Sequence, residues 1–367
     1  MKIFFLVPYP LRKGPNIRFR LECYLPYLAR EGIQCIVRPF ASERLYSILF
    51  EKGYFIEKVL RTLAGYWFRL GDFLKSLRYD CIVIYRETSP FGPAILPLLW
   101  KIIGKKVIFD FDDAIYLRSS SDVNRLTAFL KCPSKTKTLI QASSAVIVGN
   151  RHLYQYAQQY HSNVMLIPTP IDTSIFISGT APQKAHSSNN DKIRIGWVGS
   201  RTTLAHFYLL SEILQRLSQK YPIETLVLGA RNVTIPKVEV ISLEWELGVE
   251  LDILRSFDIG VMPLPNDEWS QGKCGFKLLQ YMSMNIPTVS SPVGVNVEII
   301  QDGQNGFLAA NLQEWIQKIS RLIEDKDLRK RIGMAGRHTV EERYSLKRWY
   351  PQFVKLIKGK LSDSNGS

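Results

Sequence analysis

Two periodicities alternate along the chain. Short runs rich in β-branched and aromatic residues, each beside turn residues, predict strands at Lys2 to Val7, Gln34 to Phe40, Cys81 to Tyr85, Lys106 to Phe111 and Ala145 to Val148. Helical stretches lie between them, for example Phe19 to Arg30. The alternation restarts with strands at Lys192 to Val198, Glu224 to Leu228, Val238 to Ser242, Ile259 to Met262 and Pro287 to Ser290. Helices are predicted there at Leu204 to Lys220, Leu247 to Phe257, Phe276 to Met284 and Leu312 to Asp325. Near-continuous apolar strands alternating with helices imply an α/β fold with two mostly parallel, Rossmann-like sheets.

Between the two series, Pro170, Pro182 and the polar run Ser187 to Asp191 break the pattern and read as a linker. The expected organisation is a first domain over 1–170, a linker over 171–191 and a second domain over 192–343. A C-terminal helix over 344–361 follows, with a return to the first domain as the expectation. Two αβ units joined in this way are expected to bind ligands in the cleft between them.

One stretch is amphipathic over several turns. Ile56, Val59, Leu60, Leu63, Trp67, Leu70, Leu74 and Leu77 recur at helical spacing, and Lys58, Arg61, Arg69, Lys75 and Arg78 decorate the other side. The expectation is a helix whose apolar side packs on the sheet. The alternative is a helix lying on an anionic membrane surface, held there by Arg61, Arg69 and Lys75.

Length and charge narrow the picture. A chain of 367 residues suits two domains rather than one core. Its net charge of +15 is uneven: residues 1–170 hold 24 Lys and Arg against 12 Asp and Glu, so the basic half suggests an anionic partner. The apolar start is broken by Pro8 and Pro10 and reads as a buried strand rather than a signal peptide. No run reaches a membrane span. Five scattered cysteines without CxxC spacing fit a reducing, cytoplasmic setting and neither zinc nor a disulfide framework.

The chemistry gathers at four places. Near Gly275 a loop gives way to a helix, which puts Lys277 in its first turn, where an anion bound at the helix N-terminus would find free N–H groups, dipole and ammonium together. Gln280 and Tyr281 share that face. Gly199, Ser200, Arg201, Thr202 and Thr203 follow the first strand of the second domain and open a helix, a second phosphate candidate with a flexible backbone, hydroxyls and a guanidinium. In the first domain Asp110, Asp112 and Asp113 end a strand, where acids are costly unless they cap, bind or catalyse. The loop from Arg12 to Arg20, with Gly14, Arg18 and Arg20, and the pair Arg86 and Glu87 are placed at the ligand edge of the same sheet.

The segment Lys277-Leu278-Leu279-Gln280-Tyr281-Met282, followed by Pro287-Thr288-Val289, Gly294-Val295-Asn296-Val297-Glu298 and Asp302-Gly303-Gln304-Asn305-Gly306-Phe307, resembles the donor-site signature of the family-4 glycosyltransferases, which have the GT-B fold. The surface-polysaccharide branch of bacterial enzymes is the type resembled. The resemblance implies a retaining, metal-independent transferase that moves a sugar from a nucleotide-diphosphate sugar to a saccharide or lipid-linked acceptor, without a cofactor. It implies donor contacts from Gly14, Gly199, Ser200, Arg201, Thr202, Lys273, Lys277, Gln280, Gly294, Asn296 and Glu298. Asp112, Asp113, Lys277 and Arg201 would act in catalysis, and Arg18, Arg20, Arg86 and Glu87 on the acceptor side. Two glutamates common in the family are replaced by Gly272 and Gln280, and a histidine expected beside the acidic cluster is absent. A non-catalytic nucleotide-sugar-binding protein is therefore the rival. A nucleic-acid-binding protein has only the charge in its favour, with no aromatic RNA motif or recognition helix.

Overall fold

The computed structural model describes residues 1–49, 51, 53–117, 132, 134–177, 192–246 and 248–359. The chain divides into two units, Met1–Pro170 with Leu346–Ser367, and Ile171–Ser345. Most of the linker proposed over 171–191, and the tail from 360, lie outside the described residues.

The first unit is one parallel sheet of six strands: β1 (Lys2–Val7), β2 (Gln34–Pro39), β3 (Cys81–Tyr85), β4 (Val107–Phe111), β5 (Ala145–Val148) and β6 (Val164–Leu166). Its order is β2-β1-β3-β4-β5-β6. Strands β3, β4 and β5 are buried along their whole length, which is why they read as continuous apolar runs. Helix Leu346–Lys358 belongs to this unit. Phe353 stacks on Tyr24 with ring centroids 4.4 Å apart, Tyr350 stacks on Tyr27 at 4.6 Å, and Lys106 Nζ donates to the Ile357 carbonyl at 2.8 Å.

The second unit is a parallel sheet of β7 (Ile193–Val198), β8 (Ile223–Leu228), β9 (Val240–Leu243), β10 (Ile259–Met262), β11 (Thr288–Ser290) and β12 (Phe307–Leu308). Its order, β12-β11-β10-β7-β8-β9, is the doubly wound arrangement whose direction reverses between β7 and β10. Ligands of such sheets collect at the carboxyl ends of the strands beside that reversal. There β7 gives way to Gly199 and β10 to the segment that leads to Gly275.

Several expected helices are shorter than the pattern suggested. Leu204 to Lys220 is two helices, Leu204–Tyr208 and Ser211–Lys220. Phe19 to Arg30 is interrupted as well: Pro15–Arg20 is already helical, a 3-10 turn covers Glu22–Tyr24, and Leu25–Arg30 follows. Pro15, which starts the first of these, is suited to a first helical turn because it has no N–H to satisfy. The short edge strands β6 and β12 carry too few residues for a period to be read.

The largest departure is helix Phe55–Ser76, the amphipathic stretch. Its apolar side faces outward, and its buried positions are Gly65, Arg69, Asp72 and Ser76. Arg69 is only 2% exposed and is no surface cation. Its guanidinium donates to the carbonyls of Thr88 at 2.8 Å, Val7 at 3.0 Å and Arg38 at 3.1 Å, and to Asp72 at 2.9 Å. Asp72 also accepts from Arg38 Nε at 2.8 Å. One side chain thus ties the outgoing ends of β1, β2 and β3 to the helix. Burial pulls the Arg69 pKa down to about 10, so the group stays charged at neutral pH.

Replacing Arg69 with Met is expected to destabilise the first unit by about 3–5 kcal/mol, because it leaves a buried carboxylate and three carbonyls without this donor. Urea denaturation checks it. Lys75→Gln, on the exposed side, is expected to stay within about 0.5 kcal/mol of the parent chain.

Candidate nucleotide site in the second unit

The site is built from strand ends. The last residue of β7, Val198, donates its N–H to the Tyr281 hydroxyl at 2.9 Å, which fixes helix Phe276–Ser283 against the strand. Tyr281 is fully buried, and burial raises its pKa, so the phenol remains a neutral acceptor. Next comes Gly199. A Cβ there would lie 2.0 Å from the Trp197 ring, so only glycine lets the chain turn away at this point. Ser200 and Thr203 then cap each other reciprocally, and the Ser200 hydroxyl lies 2.8 Å from that of Thr202. Arg201 extends outward and pairs with Glu244 at 2.8 Å.

Helix Phe276–Ser283 starts at Gly275, whose φ of 67° is in the left-handed region, and an added Cβ would strike Ile299 and Val295. Lys277 sits in the first turn, as the pattern suggested, and no acid shares that turn. Its ammonium lies over the Trp197 ring, 4.7 Å from the centroid, and Lys273 lies over the Trp269 ring at 5.3 Å. The short helix Leu204–Tyr208 brings in His206. Burial first, then the positive charges of Lys273 and Lys277, push its pKa down to about 4. His206 Nδ1 is buried without a hydrogen-bond partner. Two cations, a neutral imidazole and the start of a helix therefore converge beside the Gly199 turn. Such an arrangement is suited to an anion.

A cleft of about 600 Å³ opens at the ends of β8 and β9, lined by residues that include Arg231, Ser242, Glu244, Glu246, Asp252 and Ser256. Glu244 accepts from Arg231 at 3.0 Å as well as from Arg201, so it joins this cleft to the Gly199 turn. Sequence reading missed His206, Arg231 and Glu244. The signal was positional: Arg231 and Glu244 lie just beyond the carboxyl ends of β8 and β9, and His206 on the short helix that follows β7.

Other expected donor residues are placed differently. Gln280 is buried and donates to the buried carboxylate of Glu250 at 2.8 Å, so its amide nitrogen is engaged inside the unit rather than offered to a ligand. Asn296 is buried and donates to the Ser291 carbonyl at 3.0 Å, while its Oδ1 has no partner. Gly294 has a φ of 56°, and Glu298 is half-buried on the short helix Asn296–Ile299.

In the first unit the acidic cluster is a network of ion pairs. Asp112 accepts from the Tyr85 hydroxyl and from Arg86 Nε, each at 2.9 Å, and Asp113 pairs with the same guanidinium. Arg86 holds a φ of 63° at the end of β3, and its pKa is raised because the pull of the two carboxylates outweighs the effect of burial. Arg20, expected on the acceptor side, is engaged inside the unit instead. It is 2% exposed, grips Asp110 at 2.7 Å and 3.0 Å, and donates to the Ile167 carbonyl at 2.6 Å, because helix Pro15–Arg20 turns its last residue inward. Burial raises the Asp110 pKa even so. Glu87 pairs with Lys135 at 3.1 Å. Arg18 lies over the Phe19 ring at 4.2 Å. Gly14 precedes the helix in an extended conformation open to any residue.

Residues 192–325 match the family model described as glycosyl transferases group 1. The capsular polysaccharide biosynthesis glycosyltransferase CapM of Staphylococcus aureus is 23% identical over 198 residues, 48% of this chain and 51% of CapM, so the match spans about half of that relative. A glycosyltransferase from Rickettsia africae superposes with a TM-score of 0.68 at 15% identity, covering 99% of each chain. HepE of Anabaena, solved with UDP, gives 0.66 at 16% identity over 98% of this chain and all of HepE. Sucrose-phosphate synthase of Thermosynechococcus elongatus gives 0.69 at 14% identity over 98% and 99% of the two chains.

Two outcomes are expected here. Lys277→Ala should weaken binding of a nucleoside diphosphate by about 1.5–3 kcal/mol, roughly ten- to a hundredfold, in calorimetric titration. For His206 the folded pKa lies below the ordinary 6.5, so between pH 6.5 and about 4 the unfolded chain binds a proton that the folded chain refuses. Stability should therefore fall as pH drops through that window, and His206→Phe should flatten the fall in a series of urea midpoints.

Proposed function

We propose that this chain, which has the GT-B fold and carries a group 1 glycosyltransferase domain over residues 192–325, moves a sugar from a nucleotide-diphosphate sugar to a saccharide or lipid-linked acceptor in surface-polysaccharide synthesis. The observation that carries the reading is the convergence of Lys273, Lys277 and His206 on the start of helix Phe276–Ser283 beside the Gly199 turn. In this reading the diphosphate rests there, and the nucleoside lies toward the cleft lined by Arg231 and Glu244. UDP, bound in HepE, is the first nucleotide to try.

The chemistry follows from placement. As the bond between sugar and phosphate breaks, negative charge grows on the departing diphosphate. Fixed cations and N–H groups that already face that position stabilise it without reorganising. Lys273 and Lys277 supply positive charge that a divalent ion supplies in other transferases, which supports a metal-independent reaction. Among the described residues no side chain stands out as a nucleophile toward the sugar, so front-face attack by the acceptor, with retention at the anomeric carbon, is the favoured course. The leaving phosphate takes the acceptor proton. Asp112 and Asp113, held by Arg86, are assigned to positioning the acceptor hydroxyl or the sugar. The enzyme would work at the cytoplasmic face of a membrane, whose anionic surface attracts a basic first unit.

A second reading, nucleotide-sugar binding without catalysis, is favoured by one observation: Gly272 and Gln280 stand where the resembled family has glutamates, and Gln280 is buried against Glu250. Turnover decides between the two. A panel of nucleoside diphosphates should include one that raises the thermal midpoint. Asp112→Asn and Asp113→Asn should leave that shift intact, and at least one should lose most of its transfer rate. Full rate in both would assign the cluster a purely structural role.

A further inference from the structure

The described residues include 24 large hydrophobic side chains that are exposed, and 15 of them lie between Phe55 and Leu77 or between Ile95 and Ile103. Monomeric proteins rarely leave so much apolar surface contiguous without a use for it. On helix Phe55–Ser76 these residues form one continuous stripe, with Trp67 74% exposed near its middle. Helix Ile95–Ile102 lies beside the C-terminal half of that helix: Trp100 Nε1 donates to Ser76 Oγ at 2.9 Å, and the Trp100 ring lies 5.7 Å from that of Phe73. Its outward residues, with Ile102 79% exposed, extend the stripe into a two-helix face.

The stripe cannot turn inward. The opposite side of the longer helix is held by the Arg69 clamp, and Gly65 lies against Phe40 so closely that a Cβ would come within 2.8 Å of its ring. The polar residues around the face are mostly cationic: Lys58, Arg61, Lys75, Arg78 and Lys101. The acids among them are neutralised. Glu57 is bound by Arg44 and Arg61, which hold its pKa at about 2, and Asp72 is buried in its ion pairs.

We propose that this face docks the protein on an anionic lipid leaflet, with the apolar stripe inserted at the level of the acyl chains and the surrounding cations at the phosphates. A helix with this composition lies in the interface rather than across it, and no described helix is long and apolar enough to span a membrane. Charge complementarity selects lipid over a second copy of the chain, since a copy would bring a cationic rim against a cationic rim. Long basic side chains can bury their stems along the stripe while their heads reach the phosphates. The proposal deepens the membrane part of the reading above and differs from the sequence expectation in its physical basis: insertion of apolar residues, with cations in support.

The test uses the full chain and vesicles of phosphatidylcholine alone or mixed equally with phosphatidylglycerol, in a sedimentation assay. The parent protein is expected to bind the mixed vesicles. A Leu63→Ser, Trp67→Ser, Leu70→Ser variant should lose more than about tenfold in partitioning at every salt concentration. An Arg61→Gln, Lys75→Gln, Arg78→Gln variant should bind more weakly and lose the preference for anionic vesicles. Both variants replace exposed or half-exposed side chains, so their urea midpoints and their stabilisation by nucleoside diphosphate should match the parent. That control separates failure of docking from failure of the nucleotide site. The proposal is overturned if the parent ignores mixed vesicles, if the serine variant partitions like the parent, or if the parent instead forms a dimer that the serine variant dissolves.

Discussion

The buried guanidinium of Arg69 decides how the first unit presents itself. Its bonds to Val7, Arg38 and Thr88 gather three adjacent strand ends, and its pair with Asp72 anchors it on the helix that covers them. A buried charge is costly unless its donors find partners, and the planar fork of Arg69 places four hydrogen bonds here, on Val7, Arg38, Thr88 and Asp72. The helix is therefore turned with its polar side inward. Its apolar residues are left outside as a consequence, and the outer surface of the unit becomes hydrophobic with a basic border.

The second unit rests on a different constraint, the close approach of backbone to ring. Gly199 passes the Trp197 ring at a distance that excludes a Cβ, and Tyr281 links the end of β7 to the helix that bears Lys277. These contacts settle where the start of that helix lies relative to the strand end. Lys277 then rests on the same Trp197 that forbids a side chain at position 199. His206, kept neutral by burial and by the two lysines, adds a polar group that carries no charge against them at neutral pH. An anion joining them would offset the repulsion between like charges, which makes the arrangement a candidate binding site.

In the first unit, acids at a strand's end proved to be of two kinds. Asp110 is part of the core, locked to Arg20. Asp112 and Asp113 share Arg86 at the edge of the sheet, where its left-handed backbone directs the guanidinium at both. Residues alike in type and close in sequence thus separate into structure and candidate chemistry according to the partner each one meets, Arg20 for Asp110 and Arg86 for the other two.

Much of the architecture was legible from the chain alone. Runs of buried residues with a strand's period, separated by helical stretches, were enough to imply two parallel sheets, since a strand covered on both faces must be apolar throughout. The ordered segment from Lys277 to Phe307 marked the candidate donor region, and the position of Lys277 in the first helical turn followed from Gly275. What the tertiary structure alone decided was sense and partnership. A period reveals that a helix has two unlike faces but not which one turns inward, and the face of Phe55–Ser76 was set by carbonyls from residues 19 to 62 positions away. The grip of Arg20 on Asp110 spans 90 residues, and the burial of Gln280 depends on Glu250, 30 residues back. Local pattern reports how a segment is built. Whether a charged side chain ends in solvent, in a site or in the core depends on groups that only folding brings beside it, and that is the physical reason these assignments had to wait for the fold.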